Sequence, residues 1–378
     1  MAQEFDTALY TLWFGLSYGS ILTSAALYKT VEGLGKKPCL LQKPPQLWTD
    51  HYADKGNIAG LFAYENCKVL EIFDSEEDMK LLREQITTHV VGSDIVWSYN
   101  VVGKSGNFFF LDNAKPEDTK LAYCSSFGGS LPGYGVKNEY FHLLRRFDRI
   151  SVPDSVNANI LRDQFSIGSD TVLDPVFLCD KSFYIDCAAG SAARMNDNAP
   201  SYIFVHMDQG DKRKRQLILR GNDILLLKNG IPLRCMIDIN RYEESKTALG
   251  LAPAYFIRTE DWLHYLINSE FVITDNIYAM YFALIFEKPF IILVNEDDPG
   301  LLKVREFLKS LGIEERMVML QSDLKTKEYL FKKPIRYAKV TALLNEMRKS
   351  SLQWLKDTMG TEQNAKEGEN TDGTAETL

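Results

Sequence analysis

Short apolar runs alternate with amphipathic helical patterns along most of the chain, and this alternation limits the folds open to it. A strand buried on both faces appears as a continuous apolar run, and parallel strands need a crossover helix between them. Such runs predict strands at 8–14, 69–73, 95–99, 121–125, 149–152 and 171–173. Helical patterns at 137–147 and 155–164 separate several of them. The pattern therefore favours an α/β fold with a parallel sheet.

A second alternating set begins at residue 201, and 378 residues with 45% hydrophobic content are enough for two cores. We predict two doubly wound domains with a cleft between them, followed by a helix with one apolar face. The small and polar stretch between the two sets predicts a linker, and the chain end, which has no apolar pattern, predicts a disordered tail. The predicted units are residues 1–180, the linker 181–200, residues 201–335, the helix 336–359 and the tail 360–378.

Charge and hydropathy exclude several classes of partner. The net charge is −8 and the pI about 5.4, so we expect no nucleic-acid partner. The most apolar stretch, 271–294, is interrupted by charges and a proline, so no membrane span is predicted. Because Glu4 and Asp6 precede the first apolar run, the amino terminus does not resemble a secretory signal, and we predict a cytoplasmic protein.

Cysteine and histidine spacing gives no sign of a metal site. The six cysteines contain no CxxC pair, and the five histidines are not spaced as metal ligands. We predict reduced thiols, no metal and no cofactor. The basic run KRKR at 212–215 is interpreted as a solvated turn that precedes a helix.

Small and polar residues follow several predicted strands, where a doubly wound sheet places its ligand site. GLSYGS at 15–20 turns a strand into a helix. Free N–H groups at a helix start suit an anion or a sugar hydroxyl, but glycine is also needed simply to bend the chain. Asp94 in GSDIVWS stands just before the predicted strand 95–99, and it could bind a substrate hydroxyl or cap the turn. Cys124 in YCSSFG could be a nucleophile or a small buried thiol.

The segment 272–290 is the most informative of these. A strand ends at Thr274, and Asp275 or Asn276 caps the following helix. Tyr278 falls in the first helical turn, where we expect it to point at the mouth of the cleft. Its ring could serve as packing, or its hydroxyl could donate a hydrogen bond to a ligand.

Taken in order, these segments resemble the motifs of the polysaccharide pyruvyl transferase family, from Leu9 to about Met317. The matching segments are SYGS at 17–20, GSDIVWS at 92–98, FFFLD at 108–112, YCSSFG at 123–128, DRISVPD at 148–154, LDPVFL at 173–178, TDNIYAMYFALIFEKPF at 274–290 and the stretch from Arg305 to Arg316. Their order and spacing carry the resemblance, since each motif alone is weak.

The resemblance implies two Rossmann-like domains in a GT-B-type arrangement. It also implies phosphoenolpyruvate as the donor substrate and an oligosaccharide or polysaccharide acceptor, on which a pyruvate ketal forms at a pair of sugar hydroxyls. The implied catalytic residues are Tyr278 and Asp275. The implied substrate-binding residues are Tyr18, Gly19, Ser20, Asp94, Ser125, Ser126, Ser151, Asp154, Asn276 and Arg305.

Two charged positions of the family pattern are replaced in this chain. The family arginine in S-V-R-E is Pro153 here, and the family histidine in S-F-H is Tyr278. A tyrosine with an ordinary pKa of about 10 is neutral at pH 7, so it supplies no positive charge to a phosphate. Three functions follow: a divergent pyruvyl transferase, a non-catalytic family member that binds a glycan or a partner transferase, and a GT-B-type glycosyltransferase.

Overall fold

Two parallel β-sheets organise the chain, and helices flank each of them. This computed structural model describes residues 4–14, 17–41, 60–70, 80, 84–128, 134–191, 202–229, 233–237, 242–250, 257–298, 300–323 and 326–360. Residues 192–200 of the predicted linker and residues 361–378 of the predicted tail lie outside these ranges.

The first sheet has seven strands in the order β3-β2-β1-β4-β5-β6-β7, and all of its pairings are parallel. The strands are β1 (Thr7–Tyr10), β2 (Pro38–Leu41), β3 (Val69–Leu70), β4 (Thr88–Val91), β5 (Thr119–Ala122), β6 (Arg149–Val152) and β7 (Asp170–Thr171). The direction of winding reverses between β1 and β4, where Leu9 lies opposite Val90. Ligands of doubly wound folds bind at the carboxyl ends of the strands at such a reversal.

The helices of this half begin after the strand ends. They are α1 (Tyr18–Gly33), α2 (Leu61–Asn66), α3 (Tyr99–Val102), α4 (Tyr134–Leu144), α5 (Ser155–Phe165) and α6 (Lys181–Ala188). Side-chain caps fix where two of them start, because Ser17 accepts from the Ser20 amide and Asp154 accepts from the Asn157 amide. Shorter 3₁₀ segments occupy Gly103–Phe110 and Pro175–Phe177.

The second sheet has five parallel strands in the order β12-β11-β10-β8-β9. These are β8 (Ile203–Met207), β9 (Leu233–Ile237), β10 (Phe271–Thr274), β11 (Phe290–Val294) and β12 (Met317–Met319). The accompanying helices are α7 (Lys212–Asn229), α8 (Tyr242–Leu249), α9 (Thr259–Ile267), α10 (Ile277–Ile285), α11 (Leu301–Ser310) and α12 (Tyr337–Met359), and 3₁₀ turns occupy Glu314–Arg316 and Glu328–Phe331. Winding reverses here between β8 and β10.

Helix α12 connects the two halves of the molecule. Near its start, the Thr341 hydroxyl donates to Glu287 of the second half. Further along, Ser351 Oγ accepts from the Leu173 amide at 2.9 Å, and Trp354 Nε1 donates to Asp170 at 2.7 Å, both in the first half. The helix ends at Met359, the last residue of the predicted range 336–359, and it begins one residue inside that range, at Tyr337.

Several predicted elements differ from the structure. Residues 95–99 are not a strand, because the paired strand is 88–91 and GSDIVWS forms the loop after it. Residues 181–188, predicted as the start of the linker, form α6, which packs against α9. KRKR is not a solvated turn but the first turn of α7. Each of these segments makes a contact distant in sequence that the local pattern does not contain, such as the Trp97 amide with the Ser126 carbonyl and Lys214 with Asp275.

Candidate functional site

The two winding reversals face each other, and the amino termini of α1 and α10 meet between them. Tyr18, at the start of α1, stacks on Trp262 with ring centroids 5.8 Å apart. The edge of the Tyr18 ring also meets His206 at 6.3 Å, and its hydroxyl donates to the Ile257 carbonyl at 3.1 Å. The predicted cleft is therefore a junction whose two walls are in contact at Tyr18.

Tyr278, the first-turn tyrosine of α10, packs directly on α1. A Cβ placed on Gly19 would lie 2.0 Å from the Tyr278 ring, so only glycine permits this approach. The tyrosine is 6% exposed and does not point at the cleft mouth, contrary to the prediction from its helical position. Burial, together with the carboxylates of Asp94 and Asp174, raises the pKa of Tyr278 well above its usual value, so the hydroxyl stays protonated.

Asp94 is a half-buried carboxylate at the first winding reversal. It follows β4 in the left-handed conformation, with φ of 73°, which aspartate tolerates better than most residues. Ser20 Oγ, in the first turn of α1, donates to Asp94 Oδ2 at 2.6 Å. The Asp94 carbonyl accepts from the Ser126 amide at 2.9 Å. These contacts hold an acidic side chain, part of which reaches solvent, at the place where doubly wound folds bind ligands.

The other polar residues of the first half that are predicted to bind substrate form hydrogen bonds within the protein itself. Ser125 Oγ donates to the Val91 carbonyl, and Ser151 Oγ donates to the Ala122 carbonyl. Ser126 Oγ accepts from the Gly128 amide. Asp154 caps α5 and accepts from the Asn157 amide and side chain. All four are buried, so their contacts support the loops of the site.

A buried carboxylate lies behind Asp94. Asp174 accepts from Thr23 Oγ1 at 2.6 Å and from the Val176 amide at 3.1 Å, and Thr23 also contacts Ser93 Oγ at 2.8 Å. Burial raises the pKa of Asp174 to about 6, although these hydrogen bonds and the charge of Lys303 oppose the rise. The group connects α1, the GSD loop and the LDP turn.

On the other wall, Asp275 is bound by a lysine that the sequence pattern does not identify. Lys214 Nζ lies 2.5 Å from Asp275 Oδ2, with both side chains buried. Asp275 also accepts from the amides of Asp208 and Gln209. Burial and the neighbouring Asp208 charge raise the pKa of Asp275 to about 6 against the effect of Lys214. These contacts fix the loop after β8 to the end of β10.

His206 and Asp208 belong to the site, and neither follows from the motifs. His206 is the penultimate residue of β8, and its Nδ1 accepts from Trp262 Nε1 at 2.8 Å. Its Nε2 lies 3.6 Å from Asp208 Oδ1, which also accepts from Asn276 Nδ2 at 2.8 Å. Asn276 Oδ1 caps α10 through the Ala279 amide. The usable sequence signal is the position of VHMD at the end of an apolar strand.

Arg305, predicted to bind substrate, and a second arginine, Arg258, both form ion pairs within the chain. Arg305 Nε lies 3.7 Å from Glu314, and its Nη2 donates to the Met319 sulfur at 3.6 Å. Arg258 pairs with two glutamates. Pro153, at the position of the family arginine, borders a cavity of about 170 Å³. The other side chains around that cavity include Leu173, Asp174, Phe177, Tyr281 and Phe307.

The buried cysteine of the YCSSFG segment is not suited to act as a nucleophile. Cys124 is buried, and burial raises the pKa of its thiol well above the usual value, which disfavours a nucleophile. In the described ranges, no group of three or more His, Cys, Asp or Glu side chains could hold a metal ion. No helix within those ranges is long and apolar enough to cross a membrane.

Two doubly wound halves that meet at the carboxyl ends of their strands define the GT-B fold, the fold of many glycosyltransferases and sugar-nucleotide epimerases. One similar solved structure is the UDP-GlcNAc 2-epimerase of Neisseria meningitidis bound to UDP-GlcNAc, with a TM-score of 0.57 and 12% identity over 93% of this chain and 98% of that one. Another is a glycosyltransferase of Rickettsia africae, with a TM-score of 0.55 and 12% identity over 95% and 100%.

The S. aureus protein MnaA, in complex with UDP, has a TM-score of 0.54 and 13% identity over 91% of this chain and 90% of that one. At such low identities these likenesses establish the fold alone. No protein-family model and no curated protein matches the sequence.

Proposed function

We propose that this chain is a transferase that acts on a carbohydrate, and that Asp94 binds the acceptor hydroxyl. The observation that carries the proposal is the half-buried Asp94 carboxylate, held by Ser20 at the winding reversal of the first sheet. An ionised carboxylate accepts hydrogen bonds only, so it suits a hydroxyl donor. In the proposed reaction Asp94 takes the hydroxyl proton as the oxygen attacks the donor carbon and the donor phosphate leaves.

As donor we propose a nucleotide sugar. The fold supports this class, since the epimerase and MnaA structures contain UDP-GlcNAc and UDP. The charges support it as well, because phosphoenolpyruvate is small and strongly anionic and needs concentrated positive charge. Pro153 and Tyr278 provide none, and Arg305 faces Glu314. A nucleotide sugar distributes its contacts over base, ribose, diphosphate and sugar, and helix amino termini can bind its diphosphate.

Pyruvyl transfer from phosphoenolpyruvate is the second candidate. The order of the family-like motifs favours it, as does their placement, since the loops around Ser20, Asp94, Asp174 and Asn276 all lie at the strand ends that face the junction. The two candidates share the acceptor role of Asp94 and differ in the donor.

Calorimetry with UDP-GlcNAc, a panel of other nucleotide sugars and phosphoenolpyruvate separates the candidates. We expect saturable heat with a nucleotide sugar and weaker or no heat with phosphoenolpyruvate. Asp94→Asn should keep donor affinity within about threefold and reduce transfer to an oligosaccharide acceptor by about a hundredfold or more, the usual size of a lost general base.

Asp186→Asn, at an exposed aspartate on α6, provides the matched control and should retain wild-type transfer. Binding of phosphoenolpyruvate alone would replace the first candidate by the second. Glycan binding with no turnover of any donor would identify a non-catalytic binding protein. A wild-type transfer rate in Asp94→Asn would remove Asp94 from the mechanism.

A further inference from the structure

Asp208 is a second oriented carboxylate, on the wall opposite Asp94. It follows β8 at the winding reversal of the second sheet, and its side chain is 46% exposed. Asn276 Nδ2 donates to Oδ1 at 2.8 Å, and His206 Nε2 lies 3.6 Å from the same oxygen. One carboxylate oxygen is thereby fixed, and the exposed fraction of the side chain leaves the carboxylate accessible to a ligand.

The ring of His206 is held in one orientation. Trp262 Nε1 can only donate, so His206 Nδ1, at 2.8 Å, must accept, and the neutral imidazole carries its proton on Nε2. That proton faces Asp208. Burial would raise the pKa of Asp208, but the contacts of its carboxylate with the His206 and Asn276 N–H groups and the charge of Lys214 hold the pKa below its usual range, so the carboxylate is ionised.

Asp275 and Lys214 hold the loop that carries Asp208 in place through hydrogen bonds. The Asp208 amide donates to Asp275 Oδ1 at 2.6 Å, and the buried Lys214 joins Asp275 Oδ2 to the Gln209 carbonyl. An ionised carboxylate on a rigid loop, with one oxygen already bonded, is prepared to accept hydrogen bonds from a ligand without reorganisation.

We infer that Asp208 binds a pair of vicinal hydroxyls of the bound substrate, and that His206 is its positioning residue. This inference rests on the proposed function, because it assigns the wall opposite Asp94 to the donor. A vicinal diol supplies two donors to one carboxylate, and it occurs in both the ribose and the transferred sugar of a nucleotide sugar. The diol is the shared chemistry that Asp208 recognises.

The test measures binding of UDP-GlcNAc, UDP and 2′,3′-dideoxy-UDP to the full chain by calorimetry. Asp208→Asn retains the Oδ1 acceptor for Asn276 and removes the charge, and we expect it to weaken UDP-GlcNAc binding by tenfold or more. His206→Phe should weaken it similarly. His206→Gln, which can accept from Trp262 and donate to Asp208, should stay within threefold of wild type. Asp297→Asn, at an exposed aspartate after β11, is the control and should leave binding unchanged.

Comparing the three nucleotide ligands shows which part of the substrate carries the diol that Asp208 binds. If Asp208→Asn weakens UDP and not dideoxy-UDP, the diol belongs to ribose; if it weakens UDP-GlcNAc and leaves UDP unchanged, the diol belongs to the sugar. Nitrogen NMR of labelled His206 should show the Nε2–H tautomer, and an Nδ1–H tautomer would overturn the positioning role. Equal binding by wild type and Asp208→Asn would overturn the Asp208 assignment and leave the proposed function standing. If no nucleotide probe binds wild type, the proposed nucleotide-sugar donor and the Asp208 assignment both fail.

Discussion

The two halves of the protein meet closely at Gly19 and Tyr278, because glycine has no side chain to keep the tyrosine ring away from helix α1. The ring of Tyr278 occupies the space that any Cβ at position 19 would need. Because Gly19 lies in the first turn of α1 beside Ser20, this contact also fixes the position of the serine that holds Asp94. The geometry of the candidate site depends on a close approach of backbone and ring.

We predict that Gly19→Ala destabilises the protein by about 2 kcal/mol or more, because the methyl group overpacks a filled interface. Gly33→Ala is a control in the last turn of the same helix, where a Cβ meets nothing within 4 Å. It should be neutral or stabilising by up to about 1 kcal/mol. Urea unfolding of both variants tests this, and equal stability of Gly19→Ala and wild type would show that the Tyr278 contact is not formed in solution.

His89 is a buried histidine away from the site, and its protonation opposes folding. Its Nδ1 contacts the Tyr10 hydroxyl at 2.8 Å, and its Nε2 lies 3.1 Å from Asp118. Burial lowers the pKa of His89 to about 4 although Asp118 opposes the shift. Below about pH 6.5 the His89 imidazole binds a proton in the unfolded chain, whereas in the folded chain it binds one only below about pH 4. The free energy of unfolding therefore falls as the pH is lowered through that interval.

We therefore expect His89 to remove about 3 kcal/mol of stability between pH 7 and pH 4. The measurement compares wild type with His89→Gln, because Asp174 and Asp275, whose pKa values are raised, contribute the opposite slope to both proteins. The stability advantage of wild type should shrink as the pH falls. The same comparison with His142→Gln, at an exposed histidine, should show little change. An advantage independent of pH would contradict a neutral buried His89.

At the scale of elements, α12 decides how the two halves are held. Its first turns contact the second half through Tyr337 and Thr341, and its later turns contact the first half through Ser351 and Trp354. Its apolar stripe faces the shared core, with Leu355 fully buried. An amphipathic helix that packs on two sheets stabilises their relative position as well as each sheet.

Leu344→Asp should lower the unfolding free energy by about 3 kcal/mol or more, because it places an unpaired charge on the buried face of α12. Ala342→Asp adds the same charge on the exposed face of the helix and should cost less than about 1 kcal/mol. Thermal unfolding followed by circular dichroism distinguishes them. Similar melting temperatures for the two variants would mean that α12 is not docked as the structure shows.

At the scale of the whole molecule, the two sheets share a core. One apolar cluster contains Leu9 and Val90 of the first sheet together with Val272 and Phe290 of the second. Aromatic pairs cross the junction as well, as between Phe177 and Tyr281, whose ring centroids are 4.9 Å apart. Domains that share a hydrophobic interface of this kind are coupled in unfolding.

We expect a single cooperative unfolding transition despite the two-sheet architecture. Calorimetric and van't Hoff enthalpies should agree, and the transitions followed by tryptophan fluorescence and by far-UV circular dichroism should coincide. Leu344→Asp, which loosens the connecting helix, should separate the two curves. Two transitions in the wild-type protein would show that the shared core does not couple the halves.

Much of the architecture follows from the sequence because hydrophobic periodicity is local. The alternation of apolar runs and helical patterns predicts parallel sheets with crossover helices, and the bounds of α12 come directly from its stripe. Helix caps such as Asp154 and Asn276 are also local, since a side chain and an amide three residues apart form the bond. Asp94 is a site candidate through its place in the GSDIVWS motif, although the strand that precedes it, Thr88–Val91, is not among the predicted strands.

Only the tertiary structure decides which of these side chains meet. Ser20 and Asp94 are separated by 74 residues and Lys214 and Asp275 by 61, and no local pattern encodes either pair. For the same reason the basic run at 212–215 could be interpreted as solvated, although Lys214 is buried against Asp275. The sequence determined the elements and the edges of the sheets where ligands bind, because those depend on local periodicity. Whether a carboxylate such as that of Asp94 or Asp208 stays partly exposed depends on how its neighbours pack around it. That packing is a property of the whole folded molecule.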